Sequence, residues 1–158
     1  MRSRATFYGH AIHPVLIVFP LGLYTTAVIF DVIRLVTDGA GFASAAGYTM
    51  GIGVIGGVTA GVIGFVDWFA IPRGTRAKRI GLIHGVANVG VNVLFGISWL
   101  LRASAGDWVP GPMALILSFT GLVVAGFGGW LGGELVQRLG VSVADDAGLD
   151  APSSLSRS

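Results

Sequence analysis

The sequence predicts an all-α integral membrane protein, a bundle of four transmembrane helices with both termini on the cytoplasmic side. Three observations predict it. Of 158 residues, 53% are hydrophobic and only 11% are charged, against about 25% charged in a soluble domain, so the chain lacks the charges to cover a water-facing surface. Four nearly uncharged runs each reach the ~20 residues that a helix needs to cross ~30 Å of hydrocarbon. Finally, the basic residues gather at the run ends that share one side. Strand-type alternation is absent, so a β-barrel does not fit.

At this length the chain reads as one domain, a membrane unit over 1–143 and a polar tail over 144–158. The first span is expected over 13–36. Pro14 suits its first turn, and Pro20 should kink it. A basic start and a cleavage-like Ala43, Ser44, Ala45 resemble a secretion signal, but the apolar run exceeds a signal's ~7–15-residue core and carries Asp31 and Arg34, so it reads as a retained span. The second span, 45–71, is interrupted only by Asp67 and is broken by Pro72–Arg79, which holds Arg73, Arg76, Lys78 and Arg79. The third covers 80–102. A polar turn leads to the fourth, 113–136, with Glu134 near its end. Three aspartates and four serines mark the tail after Val143 as disordered.

With four spans, the N-terminus, the second-to-third loop and the C-terminus lie together. That side holds Arg2, Arg4, Arg73, Arg76, Lys78, Arg79, Arg138 and Arg157, and the other holds Arg34 and Arg102. Basic loops stay inside, which predicts cytoplasmic termini in a bacterial inner membrane. Cysteine is absent, which excludes disulfides and thiolate-bound metal clusters.

Lipid gives no hydrophobic reward for helix association, so small residues and interhelical hydrogen bonds must supply it. Gly53, Gly57 and Gly61 form one ridge, and Ala125, Gly129 and Gly133 another, facing each other or a second copy. Asn88 and Asn92 continue a stripe from His84 at steps of four, on a face that should point inward. Asp31 and Arg34, three apart, read as a local ion pair. Trp68, Trp99, Trp108 and Trp130 read as interfacial anchors.

Ionisable residues converge in depth. His10, His13, Asp67, His84 and Glu134 all fall within roughly 10 Å of one membrane face at 1.5 Å per helical residue. Imidazoles with carboxylates suit a transition metal. His10, His13 and His84 are candidate ligands of haem b, and a His/Asp/Glu chain suits proton relay. The bland reading is snorkelling and pairing with nearby arginines. No nucleotide loop, nucleophile triad or nucleic-acid surface is present, so no catalytic residue is assigned and the chain reads as non-enzymatic. The function expected is a metal- or haem-binding, redox-associated membrane module. A scaffold subunit and a small oligomeric transporter are the alternatives. The lipid bilayer is the expected partner, with a second copy or a membrane redox protein beside it.

Gly9-His-Ala-Ile-His-Pro14, Phe19-Pro-Leu-Gly22, Asp31, Asp67-Trp68, Arg79-Ile-Gly-Leu-Ile-His84 with Asn88, and Gly132-Gly-Glu-Leu-Val136 resemble a bacterial membrane family, domain of unknown function 2231. The resemblance covers nearly all of the chain except the tail and implies a four-helix membrane protein. Relatives joined to Rieske-type or cytochrome-like modules imply a redox association. Where the family often has Tyr-x-His-Gly-Val, this chain reads Gln137-Arg138-Leu139-Gly140-Val141, so a role needing that histidine is not implied here.

Overall fold

The computed structural model describes residues 1–156. Arg157, counted above with the basic residues, lies outside them.

Four helices are long and apolar enough to cross a membrane. Helix is the form that lets an apolar segment satisfy its own backbone in lipid. The first span, Ile12–Thr37, is made of α1 (Ile12–Leu16) and α2 (Val18–Thr37). They meet at Ile17, where Pro20 lacks the N–H and its ring crowds the Leu16 carbonyl. Ile17 keeps helical angles, φ −65° and ψ −21°, so the chain stays helical through the join. Asp38, left-handed at φ 53°, turns the chain into α3 (Ala40–Ala70). Helix α4 (Arg76–Ser104) starts a turn earlier than its uncharged run because the Thr75 hydroxyl caps it, accepting from Lys78 N at 3.1 Å. Helix α5 (Pro112–Gly133) begins on a proline and runs into one π-helical turn, Glu134–Arg138. Gly140, at φ 63°, then reverses the chain.

Residues 1–11 add a short antiparallel hairpin, Thr6–Phe7 against His10–Ala11. Its tight turn is Tyr8–Gly9, both at positive φ, the twist that suits two-residue hairpins. This segment, the α3–α4 loop and the end of α5 share one end of the bundle. Arg76 meets Glu134 at 2.7 Å, and the terminal amine donates to Gly140 O at 3.1 Å. We call this the histidine end.

The surface is inverted relative to a soluble protein. Val62, Val89, Val123 and Phe127 are exposed, whereas Asp31, Ser98, Arg102 and Ser118 are fully buried. An apolar exterior around a polar interior is what lipid selects. Threonines along the spans return their hydroxyls to their own helix, Thr25 to Leu21 O and Thr59 to Ile55 O.

The bundle is two helical hairpins on one plan. Hairpin one is α1–α2 with α3, and hairpin two is α4 with α5. His13, Tyr24 and Asp31 correspond to His84, Phe95 and Arg102 at a shift of 71 positions. In the second helices Gly53, Ala60 and Gly64 correspond to Gly121, Gly128 and Gly132 at a shift of 68. The contacts correspond too. A Cβ on Gly53 would lie 2.9 Å from the Tyr24 ring, and one on Gly121 would lie 2.8 Å from the Phe95 ring. His13 bonds Ala60 O and His84 bonds Gly128 O, each at 2.9 Å. The hairpins are therefore related by an approximate twofold axis along the bundle.

Candidate functional site

Three pairs of corresponding residues meet their own counterparts, and so lie on that axis. Nearest the histidine end, the His13 and His84 rings sit edge to face with centroids 6.3 Å apart. At mid-bundle Tyr24 and Phe95 stack at 4.0 Å and 6°. Towards the opposite end Asp31 and Arg102 form a bidentate pair at 2.6 and 2.7 Å.

Each histidine is fixed from the backbone. A carbonyl can only accept, so Nδ1 carries the proton in both rings, and Nε2 is the bare nitrogen of the neutral form. In an α-helix the carbonyl of Ala60 lies beside residue 64, and that of Gly128 beside residue 132. Both neighbours are glycine. A Cβ at Gly64 would lie 2.6 Å from His13 Cε1, and one at Gly132 would lie 3.3 Å from His84 Cε1. Glycine there is what lets each imidazole reach the next helix.

The stripe on α4 continues inward from His84. Asn88 donates to the His84 carbonyl at 2.8 Å and Asn92 to the Asn88 carbonyl at 3.2 Å, while the Tyr24 hydroxyl donates to Asn92 Oδ1 at 2.8 Å. Asn92 packs on Gly57 and Asn88 on Gly128. His84, Asn88 and Asn92 thus follow one another along α4, and each has a hydrogen-bond partner.

Asp31 does not pair with Arg34, as its spacing suggested. It pairs across the axis with Arg102, and Arg34 reaches Asp38 at 3.6 Å. Arg102 Nε also bonds Ser98 and Nη2 bonds Ser118, both at 3.3 Å. Three helices thus converge on one guanidinium, whose planar fork matches a carboxylate. The sequence reading placed Arg102 at the very end of the third span and gave it no partner. The missed signal was the recurrence of histidine, aromatic and charge at intervals of 11 and 7 in both first helices.

The expected five-residue cluster is not assembled. His10 stands on the exposed hairpin with Nδ1 at 3.1 Å from Tyr8 O. Asp67 is buried, but the N-terminal segment occupies it: Ser3 Oγ at 2.6 Å, Arg4 N at 2.9 Å and Ala5 N at 3.2 Å. Glu134 is taken by Arg76. Among the described residues no group of three or more His, Asp or Glu is placed to hold a metal ion. Haem binding finds no support either: Nδ1 of His13 and of His84 is bonded to the backbone of α3 and of α5.

The glycine ridges divide. Gly53 and Gly57 face Tyr24 and Asn92, while Gly61, Gly129 and Gly133 have no neighbour where a Cβ would stand. Inside the bundle α5 presents Gly121, Ala125, Gly128 and Gly132 instead. Of the tryptophans, Trp130 is exposed. Trp68 bonds Lys78 O at 3.1 Å, and Trp99 and Trp108 lie 6.0 Å apart.

A family model described as "Predicted membrane protein (DUF2231)" matches residues 9–145, most of the chain. No curated protein and no solved structure matches it.

Proposed function

We propose, since the chain belongs to the DUF2231 family of predicted membrane proteins, that it is a proton-handling membrane subunit whose working group is the His13–His84 pair. One observation carries the reading. Two imidazoles meet on the axis with their Nδ1 protons committed to backbone carbonyls, leaving both Nε2 atoms as acceptors, that of His84 within 3.4 Å of Asn88 Nδ2. Ionisable groups inside a span are rare and commonly mark ion or proton paths. The first proton taken up by one ring opposes a second on its neighbour by like-charge repulsion, so the pair holds one proton. Inward of the pair, Asn88 and Asn92 offer amides, which hold fixed donors, and the Tyr24–Phe95 stack closes the column. The site is thus a proton acceptor served from the histidine end, suited to a redox or transport partner in the same membrane. We infer that this end faces the cytoplasm of a bacterial cell, by the weight of basic residues around it.

Nitrogen-15 histidine NMR of the protein in nanodiscs tests this. The expected spectrum has His13 and His84 as Nδ1–H tautomers at high pH, with the pair taking one proton on acidification across the ordinary histidine range. If neither His13 nor His84 changes protonation in that range, the reading fails.

A second reading, a scaffold subunit, is favoured by one observation. Gly61, Gly129 and Gly133 lie open on the outer face, where another helix could approach closely.

A further inference from the structure

The two ends of the bundle differ in how many charges they carry and also in which of them are already used. At the histidine end nearly every acidic side chain is engaged. Asp67 is held by the N-terminal segment, Glu134 by Arg76, Asp145 by the terminal amine and Asp146 by Arg2. Asp150 in the tail is the exception among the described residues. Lys78 is also used: its Nζ donates to Trp68 O at 2.6 Å and lies 3.8 Å from the centre of the Trp68 ring. The side chains of Arg4, Arg73, Arg79 and Arg138 are exposed and take part in no hydrogen bond or ion pair among the described residues. At the opposite end Arg102 is locked on Asp31 and Arg34 reaches Asp38. The free charge there is Asp107, whose carboxylate accepts only from Val109 N.

Beside the free arginines stands a group of outward aromatic rings. Phe65, Trp68 and Phe69, in the last turns of α3, form a mutual cluster with centroids 4.8 to 5.8 Å apart. Phe65 is 58% and Phe69 60% exposed. Arg73 follows this cluster by four residues, and Arg79 lies in the first turn of the next helix, which Lys78 ties to Trp68. Aromatic rings favour the level where acyl chains meet headgroups. Arginine forks suit phosphate oxygens just beyond it.

We propose that this end of the bundle is a docking surface for the headgroups of anionic glycerophospholipids, with Arg73 and Arg79 as its centre. Charge complementarity selects the occupant. Unpaired guanidinium groups gain from a net-negative headgroup at an anionic surface, and gain much less from a zwitterionic one. The aromatic cluster places the lipid's glycerol region beside them and favours a lipid over a soluble phosphate.

Native mass spectrometry of the detergent-solubilised protein, with phosphatidylglycerol or phosphatidylcholine added at equal concentration, reads this directly. The full chain should retain phosphatidylglycerol at least tenfold more than phosphatidylcholine. The double variant Arg73→Gln/Arg79→Gln should lose that preference, while Arg34→Gln, at the opposite end, keeps it. Both substituted sites are exposed, and circular dichroism checks that the helices persist. Should the double variant fail to fold, Arg73→Gln and Arg79→Gln singly should each weaken the preference severalfold. A large excess of inorganic phosphate should leave lipid retention unchanged. Equal retention of the two lipids, full preference in the folded arginine variants, equal loss in Arg34→Gln, or displacement by phosphate would each overturn the proposal.

Discussion

His13, Tyr24 and Asp31 on the first hairpin occupy the places that His84, Phe95 and Arg102 occupy on the second. At the histidine end the two members of the axial pair are identical. At the centre they share a ring but differ by a hydroxyl. Towards the opposite end they carry opposite charges. In a symmetric pair of identical hairpins every residue on the axis would meet its own copy. Two aspartates or two arginines there would repel inside the membrane. One chain carrying both hairpins removes that constraint, and Asp31 with Arg102 makes use of the freedom. The difference teaches where the hairpins have specialised: the histidine pair keeps the symmetry, and the charge pair makes each half require the other.

That comparison is broken most forcefully at the charge pair. Asp31→Ala or Arg102→Ala leaves one charge buried alone and should destabilise the bundle by about 3–5 kcal/mol. Reversible unfolding in mixed micelles measures it. The exchange Asp31→Arg/Arg102→Asp puts each charge in the place equivalent to its old one, so it should recover a large part of that loss. If the exchange is as damaging as either single change, the two places are not equivalent and the axial relation fails there.

Glycines behind the histidines give the next largest effect. Gly64→Ala puts a methyl group 2.6 Å from the His13 ring, and Gly132→Ala puts one 3.3 Å from His84. The first should cost about 1–3 kcal/mol, as overpacking does, and should release the His13 Nδ1 proton from Ala60. The second asks the ring to shift by only a few tenths of an ångström and should cost less. The NMR signals of the two Nδ1 protons report both. Equal effects would mean that the hairpins hold their histidines with equal tightness.

Much of this architecture is legible in the sequence, for a physical reason. Lipid demands long uncharged runs and helices, and both can be counted along a chain. The inward stripe of His84, Asn88 and Asn92 is legible because polar groups at steps of four share a face. What is not legible from depth alone is azimuth. His10, His13, Asp67, His84 and Glu134 do lie near one face, but the hairpin turn at Tyr8–Gly9, the N-terminal segment and Arg76 direct three of them elsewhere. Asp31 and Arg102 are 71 residues apart, and only the internal correspondence of the two first helices points from one to the other. The fourth helix shows the same limit in small. Gly128 and Gly129 are adjacent in a glycine-rich run, yet one faces Asn88 and the other faces outward.

At mid-bundle the contrast narrows to one oxygen. Tyr24→Phe makes the axial pair identical and takes from Asn92 Oδ1 the donor it holds at 2.8 Å. The stack on Phe95 needs only the ring, so packing survives. The expected cost is about 0.5–1.5 kcal/mol, the usual net value of one hydrogen bond, rising if Asn92 is left without a replacement donor. The converse change, Phe95→Tyr, brings a hydroxyl to the equivalent place on hairpin two, where the counterpart of Asn92 is Leu21. Leucine offers no acceptor, so this hydroxyl should destabilise the bundle where the native one stabilises it. Opposite signs for the two substitutions in thermal unfolding, relative to the same ring without its oxygen, would show that the polar column belongs to α4. Equal signs would mean that the hydroxyl of Tyr24 is indifferent to Asn92 and that the axis is symmetric at its centre.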